Sequence, residues 1–245
     1  MAGALELAGE DQVGQGSSTA KAAAKAPGPT LPAGLRLDGT RSITLRATQT
    51  SLRVLVRLCA APGSSVEGLD LVPKSGPLLV CSSHLSNFDP LVFGAWFPRV
   101  MHAMAKAEMF QNRILRAYLD RCNCFPVRRG APDRQAIRAA LAVLQSGSAL
   151  VLFPEGHRSR GEGLLPFEPG AGYLALKSGV PVLPCAVWGT EHVLPRGALI
   201  PRRAPIHLRV GEPFRPAPGT PEEASRQIHR QVAALLPLAY RGSAD

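Results

Sequence analysis

The most constraining feature of the chain is the regular alternation of short apolar runs with helix-like segments from residue 66 onward. Apolar runs bounded by turn residues predict buried strands, and longer segments with helical apolar spacing predict helices. The predicted strands are residues 77–81, 100–105, 124–127, 149–153, 180–188 and 205–211. The predicted helices are residues 89–97, 109–121, 133–147, 170–179 and 220–240. This order predicts an α/β fold, a single domain whose mixed, largely parallel central sheet is flanked by helices.

The segment before this domain is predicted to be an amphipathic helix within residues 35–62. Its apolar stripe is Leu45, Leu52, Val56 and Cys59, and its basic stripe is Arg46, Arg53 and Arg57. Such a helix can lie in a membrane interface, or it can pack on the domain with its basic side in water. Both interpretations stay open. Residues 1–34 are rich in Ala, Gly, Pro and Ser and are predicted to be a disordered tail, which leaves residues 63–245 for the folded domain.

The charge and the cysteines narrow the possible partners and location. A formal charge of +10, from 28 basic and 18 acidic residues, favours nucleic acid, an anionic membrane or a phosphorylated substrate. The five cysteines are odd in number, so we expect reduced thiols and a cytosolic environment. The chain lacks an apolar stretch of about 18 residues and a basic, then apolar, start, so we expect neither a transmembrane helix nor a signal peptide.

A histidine and an aspartate lie five positions apart in "SSHLSNFDP", residues 82–90, just after a predicted strand. A neutral imidazole at His84 can take a proton from a hydroxyl. A carboxylate at Asp89, bonded to the other ring nitrogen, would fix the tautomer and stabilise the imidazolium. The alternative is that Asp89 only caps its helix while His84 lies in a polar loop.

Two further polar stretches follow strands: "CFPVRRG", residues 124–130, and "LFPEGHRSRGEG", residues 152–163. In the second, Arg158 and Arg160 could bind a phosphate, Gly156 allows close approach of the backbone, and Glu155 could accept from a substrate hydroxyl. Each stretch taken alone could be a solvated surface loop. Taken together at one edge of a sheet, a His–Asp pair beside arginines suits acyl transfer to a hydroxyl of a phosphate-bearing acceptor.

With "VPVLPCAV", these stretches form four ordered blocks over roughly residues 65–215, and the chain resembles the glycerophospholipid acyltransferases. The best known members are the 1-acylglycerol-3-phosphate acyltransferases. In this resemblance His84 and Asp89 match the catalytic pair, and Arg129 matches the arginine that binds the acceptor phosphate. Glu155, Gly156 and Arg158 match acceptor-binding positions, and Pro181 and Pro184 match the proline block.

The resemblance implies transfer of a fatty-acyl group from a thioester of acyl carrier protein or coenzyme A to a lysophospholipid hydroxyl. The acceptor most directly implied is 1-acylglycerol 3-phosphate, which gives phosphatidic acid. No metal or other cofactor is implied. The expected partner is an anionic membrane surface, with the enzyme peripheral on the inner face of the cell membrane and the N-terminal helix as anchor. Nucleic acid is not an expected partner.

The chain departs from the family pattern at three positions. Ser83 replaces an asparagine, His157 replaces a threonine, and Glu168 replaces a lysine. A carboxylate at residue 168 would repel a phosphate if it points into the site, which leaves the acceptor open. The alternatives are therefore another lysolipid acceptor, or a non-catalytic basic module that binds lipid or nucleic acid.

Overall fold

A computed structural model describes residues 43–128, 133–159 and 163–242 of the chain. The strands are β1 (Ser65–Glu67), β2 (Leu78–Ser82), β3 (Met101–Lys106), β4 (Cys124–Val127), β5 (Ala149–Leu152), β6 (Val182–Trp188) and β7 (His207–Val210). The helices are α1 (Ile43–Cys59), α2 (Asp89–Trp96), α3 (Arg113–Arg121), α4 (Arg134–Gln145), α5 (Pro169–Ser178), α6 (Thr190–Val193) and α7 (Pro221–Leu235). Three short 3-10 turns are Leu69–Leu71, Ala107–Phe110 and Leu238–Tyr240.

The seven described strands form one sheet in the order β1-β7-β6-β2-β5-β3-β4. All neighbouring pairs are parallel except β6 and β7, which are antiparallel. The prediction of a mixed, largely parallel sheet is therefore confirmed. Strands β2 to β6 end at the same side of the sheet, which we call the carboxyl edge. Because β7 runs the opposite way, its first residue, His207, also lies at that edge.

The sheet separates two apolar layers. Side chains alternate along β2, so that Leu78 and Val80 enter the layer shared with α1 and α2. Leu79 and Cys81 enter the other layer, which α4, α5 and α7 cover. Since both faces of β2 are covered, all five of its residues are buried. The loop that follows β2 therefore leaves a rigid central strand.

Helix α1 packs onto the domain. Leu52, Val56 and Cys59 of its predicted apolar stripe are buried against the α2 layer, and Arg53 Nε donates to the carbonyl of Ala95 at 2.9 Å. Of the two alternatives for this stripe, packing on the domain is therefore the one observed. The opposite side of α1 exposes Val54 and Leu58. Within the described ranges, no helix combines the length and apolar character needed to cross a bilayer. The predicted tail, residues 1–34, lies outside the described residues.

Local capping explains where the observed elements differ from the predicted ones. The helix predicted from residue 109 begins at Arg113, because the side chain of Asn112 accepts from two backbone N–H groups of the first turn. The capping box predicted at Thr220 is present. Helix α7 nevertheless ends at Leu235, because the residue before Pro237 is extended.

Strand β1 and helix α6 were not predicted, since three or four residues are too few to show a period.

Two glycines of α5 test the contact between α5 and α7. A Cβ on Gly172 would lie 2.0 Å from the carbonyl oxygen of Pro221, whereas a Cβ on Gly170 would meet no atom within 4 Å. We expect Gly172→Ala to lower the free energy of unfolding by about 1–3 kcal/mol or more, because backbone must move. Gly170→Ala is the matched control and should leave it unchanged or raise it by up to about 1 kcal/mol. Urea unfolding measures both, and equal effects would contradict the close helix contact.

Candidate functional site

The carboxylate of Asp89, the first residue of α2, organises the loop after β2. Its Oδ2 accepts three hydrogen bonds of 2.8 Å, from His84 Nδ1 and from the backbone N–H groups of Leu85 and Ser86. Its Oδ1 accepts a hydrogen bond from Thr190 Oγ1. Asp89 is fully buried at the positive end of the α2 dipole. Its carboxylate therefore holds the histidine loop and accepts no hydrogen bond from the described backbone of its own helix.

The histidine of this pair is oriented as a proton acceptor. Since Nδ1 of His84 faces Asp89, Nε2 is the ring nitrogen left for a proton from a bound molecule. The ring stacks on Phe153, with ring centres 4.3 Å apart and planes 25° apart. Phe93 in turn packs edge-on against Phe153. The imidazole is thus held by a carboxylate at one nitrogen and by an aromatic face.

The loop after β5 fixes the backbone of His84 at both ends. The N–H of His84 donates to Glu155 Oε1 at 2.6 Å, and the N–H of Ser159 donates to the carbonyl of His84 at 3.1 Å. The other oxygen of Glu155 accepts from the N–H of Leu165 at 3.1 Å. Gly156 makes the turn between these contacts with a φ of 71°, in the left-handed region. The loop predicted to bind the acceptor therefore also clamps the histidine.

Glu155 is almost fully buried, and this changes its charge state. Burial raises the pKa of its carboxyl to about 8, against the lowering effect of the two backbone N–H donors, and the nearby Asp89 raises it further. A carboxyl with that pKa carries little negative charge at neutral pH, so it adds little repulsion beside Asp89. The described contacts of Glu155 hold loops together, and its predicted role toward an acceptor stays a prediction.

The predicted phosphate-binding arginines are only partly described. Arg158 lies between Glu155 and Ser159 in the same loop, half-buried, and makes no hydrogen bond or ion pair with another described residue. Arg129 and Arg160 lie outside the described residues. The neighbouring Arg128 is exposed, with its Nε 3.8 Å from Asp133. Of the predicted set, the structure thus brings together His84, Asp89, Glu155, Gly156 and Arg158.

The contacts of the hydroxyl side chains around the pair were not predicted from the sequence. Thr190 binds Asp89 directly, and Ser86 Oγ donates to the carbonyl of Leu194 at 3.0 Å. Ser83 Oγ donates to the carbonyl of Val187 and accepts from its N–H, both at 2.9 Å. Thr190 follows the carboxyl end of β6 in "WGTEH". A polar residue at the carboxyl end of the strand next to β2 is expected near the His84 loop, and this position was the signal in the sequence that could have identified Thr190.

The chain is similar in sequence to known acyltransferases. A protein-family model described as "Acyltransferase" matches residues 63–188. The 1-acyl-sn-glycerol-3-phosphate acyltransferase of Bacillus subtilis (strain 168) is 27% identical over 68% of this chain and 80% of its own length. The lyso-ornithine lipid O-acyltransferase of Pseudomonas aeruginosa is 29% identical over 85% of this chain and 84% of its own length.

A solved structure is also similar. The crystal structure of the 1-acyl-sn-glycerophosphate (LPA) acyltransferase PlsC from Thermotoga maritima matches with a TM-score of 0.66 and 26% identity, covering 78% of this chain and 77% of that one. Other curated relatives match over less of their length, with 40%, 59% and 38% covered in three of them.

The hydrogen bond from Thr190 to Asp89 can be tested by two substitutions. Thr190→Val keeps the shape but leaves a buried carboxylate oxygen without its donor, so the free energy of unfolding should fall by about 1–3 kcal/mol. Thr190→Ser keeps the donor and should lose less than about 1 kcal/mol. Urea unfolding at pH 7 compares the two variants. A loss for Thr190→Val no larger than the loss for Thr190→Ser would show that the hydrogen bond to Asp89 contributes no more than the methyl packing.

Proposed function

The chain belongs to the acyltransferase family, and we propose that it transfers a fatty-acyl group from an acyl thioester to the free hydroxyl of 1-acylglycerol 3-phosphate. The product is phosphatidic acid, and the pathway is phospholipid biosynthesis. The relatives from Bacillus subtilis and Thermotoga maritima carry this activity in their names. The observation that carries the proposal is the His84–Asp89 pair, with Nδ1 of the ring 2.8 Å from the carboxylate.

In the proposed reaction, Nε2 of His84 removes the proton of the acceptor hydroxyl while Asp89 stabilises the imidazolium. The hydroxyl oxygen attacks the thioester carbonyl, and the new C–O bond replaces the C–S bond as the tetrahedral intermediate collapses. The thiolate of the carrier leaves and takes the proton from His84. The ring then returns to its neutral form for the next turnover.

Direct transfer without an acyl-enzyme agrees with the surroundings of His84. The hydroxyls of Ser83 and Ser86 donate to backbone carbonyls, so neither is poised as a nucleophile. Cys81 and Cys185 are buried in the sheet, and burial raises the pKa of both thiols, which disfavours the reactive thiolate. A thioester is already activated, so the histidine is sufficient as a base. No metal or other cofactor enters these steps.

Two arginines are proposed to bind the acceptor phosphate, and a carrier thioester is the proposed acyl donor. Arg158, which lacks an acidic partner among the described residues, is available for the acceptor phosphate, and Arg129 would share that role. The donor is a thioester of acyl carrier protein or coenzyme A.

Because the acceptor is a membrane lipid, the enzyme works at an anionic membrane surface, peripheral on the inner face of the cell membrane. The exposed side of α1, with Val54 and Leu58, is available for such contact.

A second candidate acceptor is lyso-ornithine lipid. The Pseudomonas aeruginosa relative with that name matches over 85% of this chain. Glu168 supports this candidate: its exposed side chain lies against the turn at Gly156, with Cγ 3.4 Å from where a Cβ of that glycine would be. A carboxylate beside the FPEG turn would attract the ammonium of an ornithine headgroup and repel a phosphate.

The decisive experiment offers the purified protein both acceptors, with acyl-coenzyme A or acyl-carrier-protein donors, and detects products by mass spectrometry. We expect phosphatidic acid from the wild type and at least about 100-fold less from His84→Ala. Acylation of lyso-ornithine lipid alone would replace the first candidate with the second. Glu168→Lys should then raise the preference for the phosphate acceptor about tenfold, since it reverses one charge near the site. Binding of lipid or nucleic acid without any acylated product would contradict the enzymatic proposal.

A further inference from the structure

The loop after α6 exposes two large apolar side chains next to each other. Leu199 is 95% exposed and Ile200 is 79% exposed. The loop segment, residues 194–203, reads "LPRGALIPRR". Single exposed apolar side chains are common on protein surfaces. An adjacent pair enclosed by arginines is the composition that membrane interfaces favour.

The backbone holds this pair away from the body of the protein. The N–H of Arg202 donates to the carbonyl of Val193 at 2.7 Å and closes the base of the loop. Within the loop, the N–H of Ala198 donates to the carbonyl of Pro195 at 3.0 Å, and Gly197 has a φ of 84°. The tip is therefore a defined turn whose apolar side chains project outward.

The base of the loop is bound to the site on one side and to α1 on the other. Ser86, which lies between His84 and Asp89, donates its hydroxyl hydrogen to the carbonyl of Leu194 at 3.0 Å. On the far side of the loop, the N–H of Ala204 donates to the carbonyl of Cys59 at 3.1 Å. The loop leaves the carboxyl end of β6 and returns to the start of β7, so both of its ends lie at the carboxyl edge.

The charges of the loop favour an anionic surface. Arg196, Arg202 and Arg203 are all exposed, and none forms an ion pair with a residue in the described part of the chain. With the described residues, the one side-chain hydrogen bond of these three arginines runs from Arg203 to the carbonyl of Ala60, at 3.4 Å. Three basic groups next to two apolar ones are suited to a bilayer surface, where arginines can bind anionic headgroups while apolar side chains reach the boundary of the acyl chains.

We propose that residues 194–203 form a membrane-docking loop. Leu199 and Ile200 enter the interfacial region of an anionic bilayer, and the three arginines bind the lipid phosphates around them. This inference rests on the proposed function, because an enzyme acting on a lysolipid must bring its base to the membrane plane. Since Ser86 binds the base of the loop, docking sets the position of His84 relative to the headgroups.

Vesicle flotation without any substrate tests the loop directly. Full-length protein is mixed with vesicles of phosphatidylglycerol and phosphatidylcholine at physiological salt. Leu199→Ser with Ile200→Ser should weaken binding about tenfold or more, because two apolar side chains no longer leave water. Leu199→Val with Ile200→Leu keeps apolar surface and should bind like the wild type. Leu199 and Ile200 are both exposed, so neither double variant should change the fold, and circular dichroism checks this.

The arginines are tested by a pair of charge-matched variants. Arg196→Gln with Arg202→Gln should weaken binding to anionic vesicles about 25-fold, at roughly a fivefold loss for each of the two charges removed near the surface. Arg226→Gln with Arg230→Gln removes the same charge from the exposed side of α7 and should leave binding within about twofold. If both charge pairs lose binding equally, only net charge matters and the docking loop is refuted.

Activity on a short-chain, water-soluble acceptor separates this inference from the proposed function. The serine pair should retain wild-type turnover on that acceptor while losing binding to vesicles. Wild-type vesicle binding by the serine pair, with acyl transfer intact, would overturn the loop proposal and leave the function standing. Loop-dependent vesicle binding without acyl transfer to any acceptor would overturn the function and leave the docking surface.

Discussion

The architecture of the site depends on one buried carboxylate, that of Asp89. A buried charge is costly unless it is fully hydrogen-bonded, and each hydrogen bond to a charged group contributes about 1.5–3 kcal/mol. Asp89 accepts bonds from a ring, two backbone N–H groups and the hydroxyl of Thr190. These donors come from the β2–α2 loop and from the start of α6. The same contacts that stabilise the charge therefore fix the ring of His84.

The sheet explains why the donors converge. Strand β2 lies between β5 and β6, so the loops after these three strands meet at the carboxyl edge. The loop after β5 supplies Glu155 and Phe153, which hold the backbone and the ring of His84. The segment after β6 supplies Thr190 and then continues into the exposed loop at residues 194–203. The proposed catalytic pair and the proposed membrane-docking loop are thus built from neighbouring loops.

The sequence predicted most of the described strands and helices because their apolar periods and caps are local signals. It also predicted that His84, Asp89 and the "FPEG" turn share one edge. It did not predict Thr190, because one threonine after a strand carries no period or motif. Nor did it predict that Glu155 clamps His84, because that contact joins residues 71 apart in the chain. The apolar stripe of α1 could not be assigned to core or membrane, since both environments select the same pattern.

The central claim is that Asp89 acts through His84 as one unit, and a double-mutant cycle measures this. His84→Ala, Asp89→Asn and the double variant are compared for turnover with acyl thioester and lysolipid acceptor, after near-UV circular dichroism confirms the fold. Each single variant should lose about 100-fold to 10,000-fold in kcat. The double variant should then be within about threefold of His84→Ala, because residues acting as a unit are not additive. Multiplicative losses, or substantial turnover by His84→Ala, would contradict the account.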